Sequence, residues 1–260
     1  FFFLMVDITQ QRQETGAAYH LQKMESLAML AGGVANDFNN LLLVILGHVS
    51  MIQGLVPPHH AATPHLEQAA NATERAAGLT RQMLTYAGRG HILPEAIALN
   101  ALVKEMVLSI VMPPHIQLET QLDDALPFVH VDVMQLGQVI TALIHNALEA
   151  LDKASGSITV VTGQEQITAD DVHYWQYTAE PLPLGSYVSL EVRDSGPGMD
   201  SGTLAKIFDP FFTTKMVGQG LGLASVLGIV RGHKGGLTVQ SQQDTGTVFK
   251  LLLPVAKQPM

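Results

Sequence analysis

The chain has 260 residues, 47% hydrophobic and 14% charged, enough apolar sequence for one or two domains with a buried core, and this excludes a disordered polypeptide. Its 14 Lys and Arg stand against 23 Asp and Glu, a net charge of −9 with no basic run, so neither a nucleic acid nor an anionic membrane surface is an expected partner. Cysteine is absent, which excludes disulfides, thiolate metal sites and a cysteine nucleophile.

Residues 1–8, FFFLMVDI, read as the last strand of a preceding domain. The chain opens there without Met, so it is expected to be part of a longer protein. Residues 9–23 are polar and helical, a linker. No apolar run is expected to reach the roughly 18–20 residues that span a bilayer. From Met24 the apolar residues fall at 24, 27/28, 31, 34/35, 38, 41/42, 45, 49 and 52. A spacing that alternates three and four marks a helix packed in a bundle. Three prolines and a glycine in GLVPPHHAATP (54–64) end it, and a second helix is predicted from Pro64 to Tyr86. Two such helices cannot cover their own apolar stripes, so residues 24–90 are expected to form an antiparallel hairpin and, with a second copy, a dimeric four-helix bundle.

Beyond the hairpin, residues 91–260 change character. ALNALVKEMVLSIV is a predicted helix and IQLETQL a strand. DVMQLGQVITALIHNALEAL is a strong helix with Asp132 as N-cap and Gln135 completing a capping box. SITVVTGQ, YVSLEVRD, LTVQSQ and TVFKLLLP read as strands, and LASVLGIVRGH as a helix. Helices interleaved with mostly antiparallel strands predict a two-layer α/β sandwich. Residues 166–184 read as an irregular loop.

Four short motifs carry chemistry. A helix presents Asn146, flanked by His145 and Glu149, and an Asn carbonyl there can hold Mg²⁺. DSGPGM (194–199) follows a strand. Its glycines let backbone approach a flat ligand, and Asp194 can accept from an exocyclic amine. Taken alone, that box is also what a tight turn looks like. IFDPFFTTK (207–215) comes next. GQGLGLASVLGIV (218–230) then runs into a helix, whose first N–H groups can hold phosphate.

In this order and spacing, the four motifs resemble the catalytic domain of sensor histidine kinases, within the ATPase family shared with gyrase, HSP90 and MutL. LAGGVANDFNNLL (30–42) resembles the phosphoacceptor box of those kinases, usually LAGGIAHDFNNLL, and VDIT (6–9) resembles the end of a PAS sensor domain. The resemblance implies ATP and Mg²⁺ as cofactors, with Asn146 as a Mg²⁺ ligand and Asp194 holding the adenine amino group. Gly196 and Gly198 would shape the adenine pocket. Gly218, Gly220, Gly222 and Leu223 would form the phosphate-side lid, positioned by Phe211, Phe212 and Lys215. It further implies a homodimer, a response regulator receiver domain as partner, and a cytoplasmic location.

Two positions depart from that pattern. Asn36 stands where the family has its phosphoacceptor histidine, beside Asp37 and one turn before Asn40. Position 36 lies about 200° around the helix from Phe38, so Asn36 and Asn40 are expected to face outward. An amide nitrogen has its lone pair in resonance and cannot attack phosphorus, so self-phosphorylation is expected to be absent. Asn36 is either an engineered block or natural decay. Asn40, by resemblance, orients the water that dephosphorylates the regulator, an activity that does not require the acceptor. Ala142 replaces a first Asn one turn before Asn146. Three functions remain open: an acceptor-blocked histidine kinase core, a hydrolytic ATPase (whose Glu base would fall at Ala142), and a non-enzymatic dimeric module that binds nucleotide and a regulator.

Overall fold

A computed structural model describes residues 38–57, 59–86, 92–152, 154–168, 182–214 and 220–256, with side chains omitted at 79 and 81–86. The expected PAS end, the linker, Asn36, Asp37, Lys215 and Gly218 lie outside them. Two helices open the described chain, α1 (Phe38–Leu55) and α2 (Thr63–Tyr86). On α1 the stripe expected to face a bundle is exposed: Phe38 is 54% accessible, Leu41 61%, Ile45 48% and Ile52 45%. By length and composition alone α1 is apolar enough to cross a membrane, with a mean hydropathy of 1.4 over 18 residues. This corrects the expectation from sequence that no run is that long. Asn39, Asn40, His48 and Gln53 interrupt the run to the eye, yet none is charged, and so the average stays high.

The rest of the described chain is two-layered. Five strands form one sheet in the order β2-β4-β5-β7-β6: β2 (Ile116–Leu122), β4 (Gly156–Ile167), β5 (Gly185–Asp194), β6 (Gly236–Gln242) and β7 (Gly246–Pro254). Only β2 and β4 pair in parallel; the other three pairings are antiparallel. Helices α3 (Leu99–Ser109), α4 (Val133–Leu151) and α6 (Gly222–Gly232) cover one face, and a single helical turn, α5 (Ser201–Leu204), precedes α6. A side pair of three-residue strands, β1 (Glu95–Ile97) and β3 (Val129–Val131), had no counterpart in the sequence reading.

Strand alternation explains the layers. Along β5 and β7 the residues Val188, Leu190, Val192, Phe249, Leu251 and Leu253 point to the helices and are almost fully buried. The opposite face of β5 and β7 carries Glu191, Arg193 and Lys250, and Lys250 pairs with Glu191 and with Glu165 of β4. Burial pulls the Lys250 ammonium down, but the two carboxylates outweigh it and leave its pKa above the ordinary lysine value.

Helix α4 is the spine of the helical layer. Asp132 caps it, its Oδ1 accepting from the Gln135 N–H at 3.0 Å. Leu136, Val139, Ile140, Leu143, Ile144, Ala147 and Leu151 recur at helical spacing and are buried. Burial of each of the Leu, Ile and Val side chains among them stabilises by roughly 1.5–3 kcal/mol before conformational entropy is subtracted. The other side of the last turns of α4 is left free to line a cavity.

Candidate functional site

A cavity of about 530 Å³ opens between the C-terminal half of α4, the loop after β5 and the start of α6. Ala142, His145, Asn146 and Glu149 line it from α4, Gly198 and Met199 from the loop, and Gly220 to Leu223 from the start of α6. Ile207 and Phe212 add apolar wall, and Thr213, Thr214 and Thr247 add hydroxyls.

Register places the carboxylate. The alternation that buries Val188, Leu190 and Val192 carries Asp194, the last residue of β5, onto the same inner face. Asp194 is 8% exposed and pairs across strands with Thr247, which lines the cavity. Its Oδ1 accepts from the Gly196 N–H at 2.9 Å. Burial pushes the Asp194 carboxyl above the usual carboxylate range, and the backbone N–H groups of Gly196 and Thr247 pull back against it. A buried acceptor just behind the cavity wall at Thr247, held by two backbone donors, suits the amino group of a flat heterocycle.

The loop leaving Asp194 needs glycine at Gly198. Its φ is +64°, and a Cβ there would lie 2.0 Å from the Gln242 carbonyl oxygen. Asp244 N–H closes the same contact by donating to the Pro197 carbonyl at 2.8 Å. The loop is thereby pressed onto the β6–β7 hairpin and holds the near wall. On the far wall, Phe211 N–H donates to the Gly220 carbonyl at 2.9 Å, and a Cβ on Gly220 would meet the Phe211 backbone at 2.4 Å. Residues Phe211 and Gly220 are pinned together at that point.

The expected residues separate as follows. Asn146, Gly198, Phe212, Gly220, Gly222 and Leu223 share the cavity wall, with Asp194 and Gly196 behind it at the β5 end. Phe211 is 66% exposed with a φ of +65°, and takes no part in the wall; Phe208, 2% exposed, is the phenylalanine of this box that enters the core. Asn40 is exposed on α1. The sequence reading missed Thr247. It comes from β7 and reaches Asp194 only through strand register, although a threonine just after the hairpin glycine Gly246 is a weak signal of such a position.

The residues fit a divalent cation only in part. Among the described residues no group of three or more His, Asp or Glu side chains gathers as a metal site. Asn146 and Glu149 supply oxygen donors on one wall. That donor set suits Mg²⁺ held mainly by phosphate oxygens and water, with one or two protein ligands.

Comparison with known proteins agrees with this geometry. Residues 131–257 match the family described as histidine kinase-, DNA gyrase B-, and HSP90-like ATPase, so β4, β5, β6 and β7 with α4 and α6 belong to an ATPase-like domain of that kind. Over 256 residues the chain is 36% identical to the sensor kinase CckA of Brucella abortus (strain 2308), covering 96% of this chain and 26% of that protein. It is 29% identical to the signal transduction histidine-protein kinase AtoS of Escherichia coli (strain K12), covering 97% of this chain and 39% of that one. The chain belongs to the protein histidine kinase family, and it spans between a quarter and two fifths of the length of these two relatives. Among solved structures, full-length ShkA in complex with AMPPNP superposes with a TM-score of 0.63 at 18% identity, over 89% of this chain and 47% of that one. Histidine kinase ThkA in complex with response regulator protein TrrA superposes with a TM-score of 0.52 at 21% identity, over 97% and 68%. At those identities the likeness is one of fold.

Proposed function

We propose that the chain is the core of a two-component sensor histidine kinase that binds ATP with Mg²⁺ in the cavity, with its phosphoacceptor position blocked by Asn36. The observation that carries this reading is the cavity itself. A buried carboxylate, Asp194, lies behind the wall as the cross-strand neighbour of Thr247, while the first turn of a helix, Gly222–Leu223, and the Asn146 amide line the cavity itself. The carboxylate accepts the adenine amino group. Met199, Ile207 and Leu223 flank the ring. Backbone N–H groups at the start of α6 face phosphate, where the helix dipole favours negative charge. Asn146 would hold Mg²⁺, which supplies charge neutralisation on the phosphates. By resemblance, Lys215 and Gly218 would contribute to a phosphate-side lid.

In this reading residues 24–90 dimerise as a four-helix bundle, the ATP-binding domain runs over 91–260, and residues 1–8 and 9–23 end a PAS-like domain and its linker. The bundle presents position 36 to the cavity and, in turn, to the aspartate of a response regulator receiver domain. ATP places the cavity in the cytoplasm. In a histidine at position 36, a ring nitrogen would form the bond to the γ-phosphorus while ADP leaves, with Asp37 orienting the ring. Asn36 offers no such lone pair. Asn40 retains the amide that would orient water toward a phosphorylated regulator, so phosphatase activity survives in this reading. A second reading, a non-catalytic module that binds nucleotide and a regulator, is favoured by Ala142, which lines the cavity where a second amide would support the phosphates.

Incubation with γ-labelled ATP separates the two. The unmutated chain takes no label, and Asn36→His takes an acid-labile, alkali-stable label if Asn36 is the only lesion. Label only on Asn36→His combined with Ala142→Asn means both positions have decayed. No label on either, with ATP bound, leaves the binding module.

A further inference from the structure

Helices α4 and α6 run in opposite directions. The N-terminus of α4 meets the C-terminus of α6, and the opposite ends of both helices border the cavity. At the meeting point His233, the residue after α6, is 7% exposed. Its Nε2 accepts from the Asp132 N–H at 2.9 Å, and its Nδ1 lies 2.8 Å from the Ile229 carbonyl oxygen. A backbone N–H can only donate, so Nε2 must be the acceptor. Nδ1 then carries the proton and donates to Ile229, and a single tautomer satisfies both contacts. The imidazole therefore bolts the cap residue of α4 to the last turn of α6.

The Asp132 carboxylate is fully engaged as well. Oδ1 accepts from the Gln135 N–H, capping α4, and Oδ2 accepts from the Leu93 N–H at 3.0 Å. Leu93 belongs to the segment that follows α2 into the sheet domain, and Ile92 beside it lies 2.9 Å from where a Cβ on Gly232 would be. Helix α2 also packs against α6. The chain coming from the helical pair thus crosses the bolt and is hydrogen-bonded to it.

We propose that Asp132 and His233 are positioning residues. They fix the separation of α4 and α6 at the cavity from the opposite end of the helices, and they connect that separation to the segment arriving from α2. Asn146 lies 14 residues along α4 from Asp132, about 21 Å at 1.5 Å per residue. A small rotation at the bolt becomes a displacement of an ångström or more at the cavity, enough to change how a ligand is held. The proposal rests on nucleotide being the ligand of the cavity, but the bolt has a readout that needs no ligand.

The test uses the full chain and two variants that divide the contacts of His233. His233→Asn keeps a donor near the Nδ1 position and cannot reach Asp132; His233→Gln reaches the Nε2 position. Titration with Mg²⁺ and a non-hydrolysable ATP analogue should show affinity about tenfold weaker in His233→Asn and within about threefold of the unmutated chain in His233→Gln. Hydrogen exchange of the free chain should be faster at residues 222–225 in His233→Asn and restored in His233→Gln, a remote effect that simple fraying of the α6 C-terminus does not give. Asp132→Asn, which keeps an oxygen for the cap and can turn an NH₂ toward Leu93, should speed exchange of the Leu93 amide. His233→Asn matching the unmutated chain in exchange at 222–225 overturns the proposal, whatever binds. Absence of binding by the unmutated chain, with the exchange pattern as expected, instead removes the nucleotide reading and keeps the bolt.

Discussion

Asp194 occupies a position where β5 alternation calls for an apolar residue, and the fold bears the cost of burying its charge. Its raised pKa means the folded chain holds that proton more tightly than the unfolded chain does. Across the window from the ordinary Asp value upward to the folded value, the folded state binds more protons, so stability of the ligand-free protein falls as pH rises. Nucleotide affinity runs the other way, because the ionised carboxylate is the better acceptor for an amino group. Titrations across the acid range should therefore show affinity climbing with pH while the unfolding midpoint drops. Asp194→Asn removes a charge-assisted hydrogen bond, worth on the order of 1.5–3 kcal/mol of binding. The same change lifts the desolvation penalty, so calorimetric affinity should fall by about tenfold or more while thermal stability at neutral pH is largely kept. Gly198→Ala tests the other wall. The positive φ alone costs about 1–2 kcal/mol, and the contact with the Gln242 carbonyl adds to it, so denaturant unfolding should show a loss of at least that size.

At the scale of elements, the long periodic segments were legible and the short ones were not. The strand Ile116–Leu122 and the helix capped by Asp132 lie where alternation and capping chemistry place them. In the capping box the aspartate accepts from the Gln135 amide. The strands β1 and β3 escaped because three residues cannot display a period of two. The wall residues of the cavity from α4 were readable because they share one helix with Asn146. Thr247 was not, since it meets Asp194 only through pairing of β5 with β7. The bolt at His233 was equally invisible, joining residues 101 positions apart. Helix α1 poses the opposite problem, an apolar stripe that the single chain leaves exposed. A second copy covers it in the proposed bundle, each side chain buried there contributing roughly 1.5–3 kcal/mol before entropy. Light scattering at micromolar concentration should give a dimer, and Leu41→Asp combined with Ile45→Asp a monomer. A monomeric unmutated chain refutes the bundle.

At the scale of the whole molecule, the strands and helices of 131–257 belong to an ATPase-like family by match and by fold, whereas the acceptor hairpin belongs to the proposed function. What binds in the cavity underlies both, because a blocked kinase, a regulator phosphatase and a nucleotide-gated module all need the nucleotide to be held. Calorimetric titration of the unmutated chain with Mg²⁺ and ATP, run beside Asp194→Asn, measures this directly. The account predicts saturable binding by the unmutated chain, clearly weakened by Asp194→Asn. No heat of binding from a folded unmutated chain, or equal affinity in the two proteins, would contradict it.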